Sequence, residues 1–308
     1  MSRRPRRNRP PRLDEPGGRA LVHPGAVGAG GPGSGLSLAQ EMTDRRVTGR
    51  HPHLGLAEVR SAHRRLVAGD PDALAGTALL GVTAEEVVKA SQRIFGWNHD
   101  TPRAHVQPAR SAEAVEHLAV RLCRLVTSGG TLAVATARPA SLLPLYQIVA
   151  GAVVEAGGRV LGPDRYGPVP VRGRGPMYLT WLAGVAVATR DRDLVGGDLG
   201  ALAAEWVFAL GPRPDLVLAD GTFAGAALAD GCEVFAFADV DEPALAVAAA
   251  RGLGLRVVPL ALGAPAAAYD CVAVALAHRV AALGAPPSLG GAEPDPEPAP
   301  ESGAAPDP

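Results

Sequence analysis

The chain is poor in the residues that mark a disulfide scaffold, a thiolate metal site or a membrane protein. Its 308 residues include three cysteines, Cys123, Cys232 and Cys271, which are far apart and form no C-x-x-C pair. Neither a disulfide framework nor a zinc site is therefore indicated. No run approaches the roughly 18 uncharged apolar residues of a membrane span. The early arginines are not followed by an apolar stretch, so we predict no secretory signal and expect a cytoplasmic protein.

The chain also lacks an excess of charge of either sign, with Lys+Arg 30 and Asp+Glu 31. No global field attracts nucleic acid or a membrane, and we expect neither as a partner. Residues 1–35 are rich in arginine, glycine and proline, and residues 285–308 are rich in proline, alanine and acidic residues. We predict that both ends are disordered, because they contain too few large apolar residues to offset the entropy of ordering. Residues 36–284 are predicted to form a single domain, whose oligomeric state the sequence leaves open.

Five continuous apolar runs occur over the last 180 residues of the chain, and four of them end in threonine or aspartate. Such runs suit strands that are buried on both faces. Helix-like stretches alternate with them, so we predict an α/β fold with a doubly wound, mostly parallel, Rossmann-like sheet. Before the sheet, residues 54–95 are predicted to be a helical segment that packs on the sheet or caps the site. Residues 159–161 are predicted to be a short strand and residues 162–176 an irregular excursion. The five runs are Thr131–Thr136, 185–189, Leu216–Asp220, 233–239 and 255–260.

The turn after the first of these strands is a candidate anion site, because ligands of such sheets bind beyond the carboxyl ends of the strands. The segment AVATARPAS at residues 133–141 brings Thr136, Arg138 and Ser141 to this edge. Backbone N–H groups and the helix dipole at such a turn favour an anion. Arg138 can add a bidentate contact to phosphate. The alternative is an ordinary strand–helix connection with a surface arginine.

Three carboxylates, Asp220, Asp239 and Asp241, follow two strands that are neighbours in sequence. Gathered at one edge, they could bind a divalent metal such as Mg²⁺ or act as a general base. The alternative is that these carboxylates cap helices. The segments DGT at residues 220–222 and DEP at residues 241–243 both resemble helix starts. The sequence leaves the metal requirement open.

Three further motifs carry less weight. The segment DRDLV at residues 191–195 matches the D-x-D-x-V signature of haloacid-dehalogenase phosphatases, but the strand stops at Thr189 and no lysine follows. The GAGGPG run at residues 28–33 fits G-x-G-x-x-G without a preceding strand. His99 lies in a polar loop, where it could serve as an acid or base or be a solvated loop residue.

Short segments in the same order and spacing connect this chain to a known family. They are ATARP at residues 135–139, LVLAD at Leu216–Asp220 with FAG at 223–225, FAD at 237–239 with EPAL at 242–245, and VPL at 258–260 with YD at 269–270. From about Val59 to Val280 the chain resembles a family of mainly actinobacterial proteins that are named phosphatases. The resemblance implies an α/β phosphatase-like domain and a phosphorylated small molecule as its ligand.

The chain departs from the family pattern at three places where that pattern has a histidine. The first turn of the family reads A-T-G-H-P, and here Ala137 and Arg138 replace Gly-His. The fourth turn reads A-D-H-G, and here it is ADGT at residues 219–222. The histidine-containing segment after the third strand reads RDRDLVGG at residues 190–197. Imidazole can be a ligand, nucleophile or proton shuttle, whereas guanidinium can only bind and stabilise anions.

The resemblance therefore leaves two functions open. One is a phosphomonoester hydrolase, and the other is a catalytically degenerate ligand-binding or regulatory protein on the same scaffold. In either case the expected ligand-binding residues are Thr136, Arg138, Ser141, Asp220 and Thr222. Asp239 and Asp241 are the expected catalytic residues of the hydrolase.

Overall fold

The computed structural model describes residues 37–97, 103–162, 168–171, 175–197 and 199–284. The predicted disordered ends, the glycine-rich run at residues 28–33 and His99 lie outside these residues. Within the described residues, the helices are α1 Leu38–Asp44, α2 Leu56–Val67, α3 Ala84–Phe95, α4 Pro108–Thr127, α5 Pro139–Glu155, α6 Gly200–Ala209, α7 Gly221–Ala229, α8 Pro243–Ala250 and α9 Asp270–Gly284. Short 3₁₀ turns lie at Pro71–Leu74 and Ala266–Tyr269.

The strands form two sheets. Within the described residues, the strands are β1 Gly49–Gly55, β2 Arg103–Val106, β3 Thr131–Thr136, β4 Arg159–Leu161, β5 Pro168–Val171, β6 Gly175–Leu182, β7 Val185–Arg190, β8 Asp193–Val195, β9 Leu216–Asp220, β10 Val234–Ala238 and β11 Leu255–Pro259. The first two pair with each other in antiparallel fashion, and the others form a nine-stranded sheet with the order β11-β10-β9-β3-β7-β6-β5.

The large sheet is parallel over β11, β10, β9, β3 and β7 and antiparallel at its β5–β6–β7 edge. The strand β4 lies parallel to the first half of β3, and β8 folds back against β7. The expected mostly parallel sheet is confirmed. The tight hairpin between β6 and β7 explains their antiparallel pairing, because Ala183 and Gly184 both have positive φ, as a turn that suits strand twist requires.

Buried side chains alternate between the two faces of the sheet. Leu132 and Val134 belong to one core with α1, α4, α5 and α9, whereas Ala133 and Ala135 belong to a second core with α2, α3, α6, α7 and α8. Because helices cover both faces, every central strand is buried on both sides, which explains the continuous apolar runs. The doubly wound architecture is confirmed.

The segment before the sheet is only partly helical. The prediction of helix over residues 54–95 is wrong at its start, where β1 extends to Gly55, and in its middle, between the 3₁₀ turn and α3. The strand β1 reads GRHPHLG, which has no apolar alternation, and it pairs with β2 about 50 residues further along the chain. The excursion at 162–176 likewise includes β5 and the start of β6. No helix among the described residues is long and apolar enough to cross a membrane.

Candidate functional site

A cavity of about 250 Å³ lies at the carboxyl edge of the parallel strands. Three strand–helix turns line it, those that follow β3, β9 and β10. The N-terminal segment, which the sequence predicts to pack on the sheet or cap the site, closes another side with Ala62, Arg65 and Ala73. The lining residues of the cavity are Ala62, Arg65, Asp72, Ala73, Ala75, Ala137, Arg138, Gly197, Gly221, Thr222, Asp241 and Glu242. A larger groove of about 640 Å³ follows α2 and the start of α3, but none of the strand-end carboxylates lines it.

Arg138 is the main cationic group that the sheet presents to this cavity. Its Nη2 lies 3.1 Å from Glu242 Oε1, and its backbone N–H donates to Thr136 Oγ1 at 2.9 Å. Glu242 raises the pKa of Arg138 further above its already high value, and Asp241 and Asp220 act in the same direction against the effect of burial. Arg138 is therefore a permanent cation that can hold an anion but cannot transfer a proton.

Asp220 is fully buried at the end of β9. Its Oδ1 accepts the Ala137 N–H at 2.9 Å, while Oδ2 has no hydrogen-bond partner among the described residues. Burial raises the pKa of Asp220 to about 6, against the opposing effects of Thr136 and Arg138. Although Asp220 is the residue before α7, its side chain makes no capping bond. The capping alternative is therefore wrong for this residue.

Asp239 is held by protein donors on both of its oxygens. Its Oδ2 accepts the Leu262 N–H at 2.6 Å and contacts His51 Nε2 at 2.9 Å, and its Oδ1 accepts the Val240 N–H at 2.7 Å. His51 Nδ1 in turn accepts the N–H groups of His53 and Leu54. Because Nδ1 is an acceptor, the proton of His51 lies on Nε2 and is donated to Asp239. Asp239 does not line the cavity, and its contacts anchor β1 to the main sheet.

Asp241 does line the cavity, and its Oδ1 is buried without a partner among the described residues. Burial raises the pKa of Asp241 to about 7, and the nearby Asp239 and Glu242 carboxylates contribute, opposed by Arg138 and His51. Asp241 is not the residue that precedes α8; that residue is Glu242, whose side chain makes no capping bond. A carboxyl group with such a pKa can give or take a proton at neutral pH.

Buried polar atoms without a partner gather at this edge of the sheet. They are Tyr146 Oη, Asp220 Oδ2, Thr222 Oγ1 and Asp241 Oδ1. Burial and the Asp220 carboxylate both raise the pKa of Tyr146 well above its usual value, although the two groups do not reach hydrogen-bond geometry. The Tyr146 hydroxyl consequently stays protonated and is available as a donor. Native proteins leave few buried polar groups unpaired, so this grouping is characteristic of a ligand site.

The sequence-based candidates separate into two groups. Arg138, Thr222 and Asp241 line the cavity, and Thr136 and Asp220 lie directly behind it through their bonds to the backbone of residues 137–138. Ser141 does not line the cavity, since its buried hydroxyl donates to the Arg138 carbonyl at 3.3 Å within α5. The DRDLV segment forms the exposed turn at residues 191–192, where Asp191 and Arg192 both have positive φ, and the short strand β8.

Sequence reasoning missed four contributors to the site. Glu242 could have been found, because an acidic residue directly before a helix-starting proline at a strand end is visible in the sequence. His51, Tyr146 and Arg65 come from distant segments and give no local signal. Over the described ranges, no group of three or more His, Cys, Asp or Glu side chains is placed so that it could hold a metal ion.

The fold and the cavity define an α/β protein with a candidate site at the carboxyl edge of a doubly wound sheet. The profile of the family named Phosphatase matches residues 35–283, and the chain belongs to this family. A curated relative, Phosphatase SCO2771 of Streptomyces coelicolor, is 28% identical over 214 residues, which cover 65% of this chain and 78% of the relative. No solved structure is significantly similar to the chain.

Proposed function

We propose that this protein binds a phosphorylated small molecule in the cavity beside Arg138 and hydrolyses its phosphomonoester bond. The observation that carries the proposal is the gathering of unpaired buried polar atoms on Tyr146, Asp220, Thr222 and Asp241. Each such atom costs about 1–3 kcal/mol when it is left without a partner. A ligand that supplies the missing partners offsets this cost.

Phosphate recognition would rest on Arg138, Thr222 and the start of α7. A guanidinium has five N–H donors, and the Glu242 ion pair leaves several of them for a phosphate. The unpartnered hydroxyl of Thr222 and the N–H groups at the first turn of α7 add donors from the neighbouring strand end. The volume of about 250 Å³ lies below the range of drug-sized pockets, which favours a small substrate.

Asp241 is the group we assign to proton transfer. In the protonated state it donates its proton to the ester oxygen as the P–O bond breaks, while water attacks phosphorus. The products are the alcohol, dihydrogen phosphate and the Asp241 carboxylate, which regains its proton as hydrogen phosphate leaves. Arg138 stabilises the charge on the phosphoryl oxygens throughout. Asp239, which the sequence suggests as a second catalytic residue, would instead position Asp241 through the β10–α8 turn.

A binding or regulatory protein without hydrolysis is the second candidate. It is favoured by Arg138 itself, since a guanidinium replaces the histidine of the family pattern and cannot act as nucleophile or proton shuttle. In this case the same cavity holds the phosphorylated ligand, and the raised pKa of Asp241 reflects only burial among carboxylates.

Hydrolysis of 4-nitrophenyl phosphate, with and without Mg²⁺, tests the proposal on wild type, Arg138→Ala and Asp241→Asn. Losing one charge-assisted contact of about 1.5–3 kcal/mol should lower kcat/KM of Arg138→Ala by roughly 10- to 100-fold. Asp241→Asn should lower kcat and leave KM nearly unchanged. Arg121→Ala is the matched control, because Arg121 is also partly exposed and paired, to Glu233 at 2.8 Å, but at the opposite edge of the sheet.

The outcomes separate the two candidates. The second candidate is supported if the wild type binds phosphate but does not hydrolyse the ester, and if Arg138→Ala abolishes phosphate binding. Equal activity in Arg138→Ala and Arg121→Ala would show that the cavity is not the site.

A further inference from the structure

A second cavity, of about 470 Å³, lies on the small β1–β2 sheet. It shares no lining residue with the cavity beside Arg138, and His51 forms part of its wall. The imidazole of His51 therefore lies between this cavity and the buried carboxylate of Asp239. The other lining residues that matter for its chemistry are Thr43, Arg46, Thr48, Arg50 and Arg103.

Among the described residues that line this cavity are three arginines and no aspartate or glutamate. Arg46 and Arg50 are exposed, and neither side chain has an ion-pair partner in the described ranges. Their neighbour Arg45 is different, because it pairs with Glu41 at 3.2 Å and donates to the Ala267 carbonyl at 2.9 Å. Like charges held around one concavity repel each other, and a bound anion relieves this repulsion.

The other polar groups that line this cavity already have partners within the protein, which leaves the guanidinium groups to recognise an anion. His51 Nδ1 accepts two backbone N–H groups and its Nε2 contacts Asp239, so both ring nitrogens already have partners within the protein. The Thr43 hydroxyl donates to the Ala39 carbonyl and lies 3.3 Å from the Thr48 hydroxyl. The threonines thus satisfy each other and the backbone, and positive charge dominates the wall.

We propose that this cavity binds a small anion with several charges, of the phosphate or oligophosphate type, as a site separate from the one beside Arg138. Guanidinium groups match phosphate oxygens in geometry and charge. The bounded volume and the overall charge of −1 favour a free small anion over a nucleic-acid backbone, which needs an extended basic surface. The proposal does not depend on hydrolysis at the first cavity.

Isothermal titration of the full chain with pyrophosphate tests the proposal in the Arg138→Ala background, which removes the first site. We expect one binding event that weakens with added salt. In the same background, Arg46→Gln with Arg50→Gln should weaken it at least about tenfold, since each substitution removes a charge-assisted contact. Arg60→Gln with Arg64→Gln is the matched control, because these two arginines are also exposed but line the groove along α2.

A lysine pair, Arg46→Lys with Arg50→Lys, keeps the charge and guards against a folding defect; it should bind with intermediate affinity. Loss of all binding in Arg138→Ala alone would overturn the second site while leaving the proposed function intact. If the Arg60→Gln/Arg64→Gln control weakens pyrophosphate binding equally, the effect is one of overall charge and the second site is overturned. Tighter binding of a short single-stranded oligonucleotide than of pyrophosphate, lost in the same glutamine pair, would overturn the small-anion assignment.

Discussion

Replacing Asp220 by asparagine should stabilise the protein at neutral and alkaline pH. Asparagine has nearly the same shape, and its Oδ1 can still accept the Ala137 N–H that Asp220 accepts at 2.9 Å. Its amide nitrogen would take the place of Oδ2, which has no partner in the part of the chain that the structure describes. The substitution therefore removes a buried charge and keeps the one hydrogen bond that the side chain makes.

The size of the effect follows from the pKa of Asp220. Burial raises it from 3.8 to about 6. The folded state consequently binds more protons than the unfolded state between these two values, and the free energy of unfolding falls as pH rises through this interval. A shift of about two units corresponds to roughly 3 kcal/mol of stability that is present below pH 4 and lost above pH 6. Asp220→Asn should gain this amount at pH 8 and almost nothing at pH 4.

Urea denaturation of both proteins between pH 4 and pH 8 measures this difference directly. Asp215→Asn is the control of opposite sign. Hydrogen bonds from the hydroxyl and N–H groups of Thr131 hold the pKa of Asp215 below its usual value, so this variant should lose stability at neutral pH and match wild type in acid. A difference between wild type and Asp220→Asn that does not change with pH would refute the reasoning.

Two further predictions concern the supports of the site. His51→Ala should lower the free energy of unfolding, measured by urea denaturation, by about 3 kcal/mol or more. The substitution removes the donor to the buried Asp239 carboxylate and leaves the N–H groups of His53 and Leu54 unpaired. A loss below about 1 kcal/mol would contradict this hydrogen-bond network. Gly225→Ala should lower the free energy of unfolding by about 1–3 kcal/mol, since a Cβ at this position would overlap the Ala75 carbonyl oxygen. Gly151 lies in open space within α5, so Gly151→Ala should raise the free energy of unfolding by about 0.5–1 kcal/mol. Thermal melts that rank the two variants in the opposite order would show that α7 and the 75–77 segment are not packed as described.

The central strands could be predicted because burial on both faces leaves a direct signature in the sequence. The predicted bounds of β3, β4 and β9 agree with the structure. A cavity also lies at the edge that the strand-end rule indicates, since Arg138, Gly221 and Thr222 line it. What the local sequence could not give is β1, whose GRHPHLG pattern lacks alternation and whose partner β2 is distant in the chain.

The roles of individual site residues were harder to predict than their location. Asp239 and Asp241 are two residues apart and look equivalent in sequence, yet one is saturated by donors and the other has an unpaired oxygen. The difference arises from His51, which lies 188 residues away in the chain. A strand-end carboxylate becomes structural or reactive according to such distant contacts, and no local pattern encodes them.

The three departures from the histidine pattern of the family meet at one cavity, since Arg138, Gly197 and Gly221 with Thr222 all line it. Gly221 has a φ of +49°, and a Cβ at this position would approach Ala137 and Glu242 within 3.4 and 3.6 Å. The absence of a side chain at Gly221 leaves room beside the Arg138–Glu242 pair. In the proposed hydrolase, Arg138 is a permanent cation assigned to anion binding, and proton transfer at neutral pH is assigned to Asp241, whose pKa burial raises to about 7.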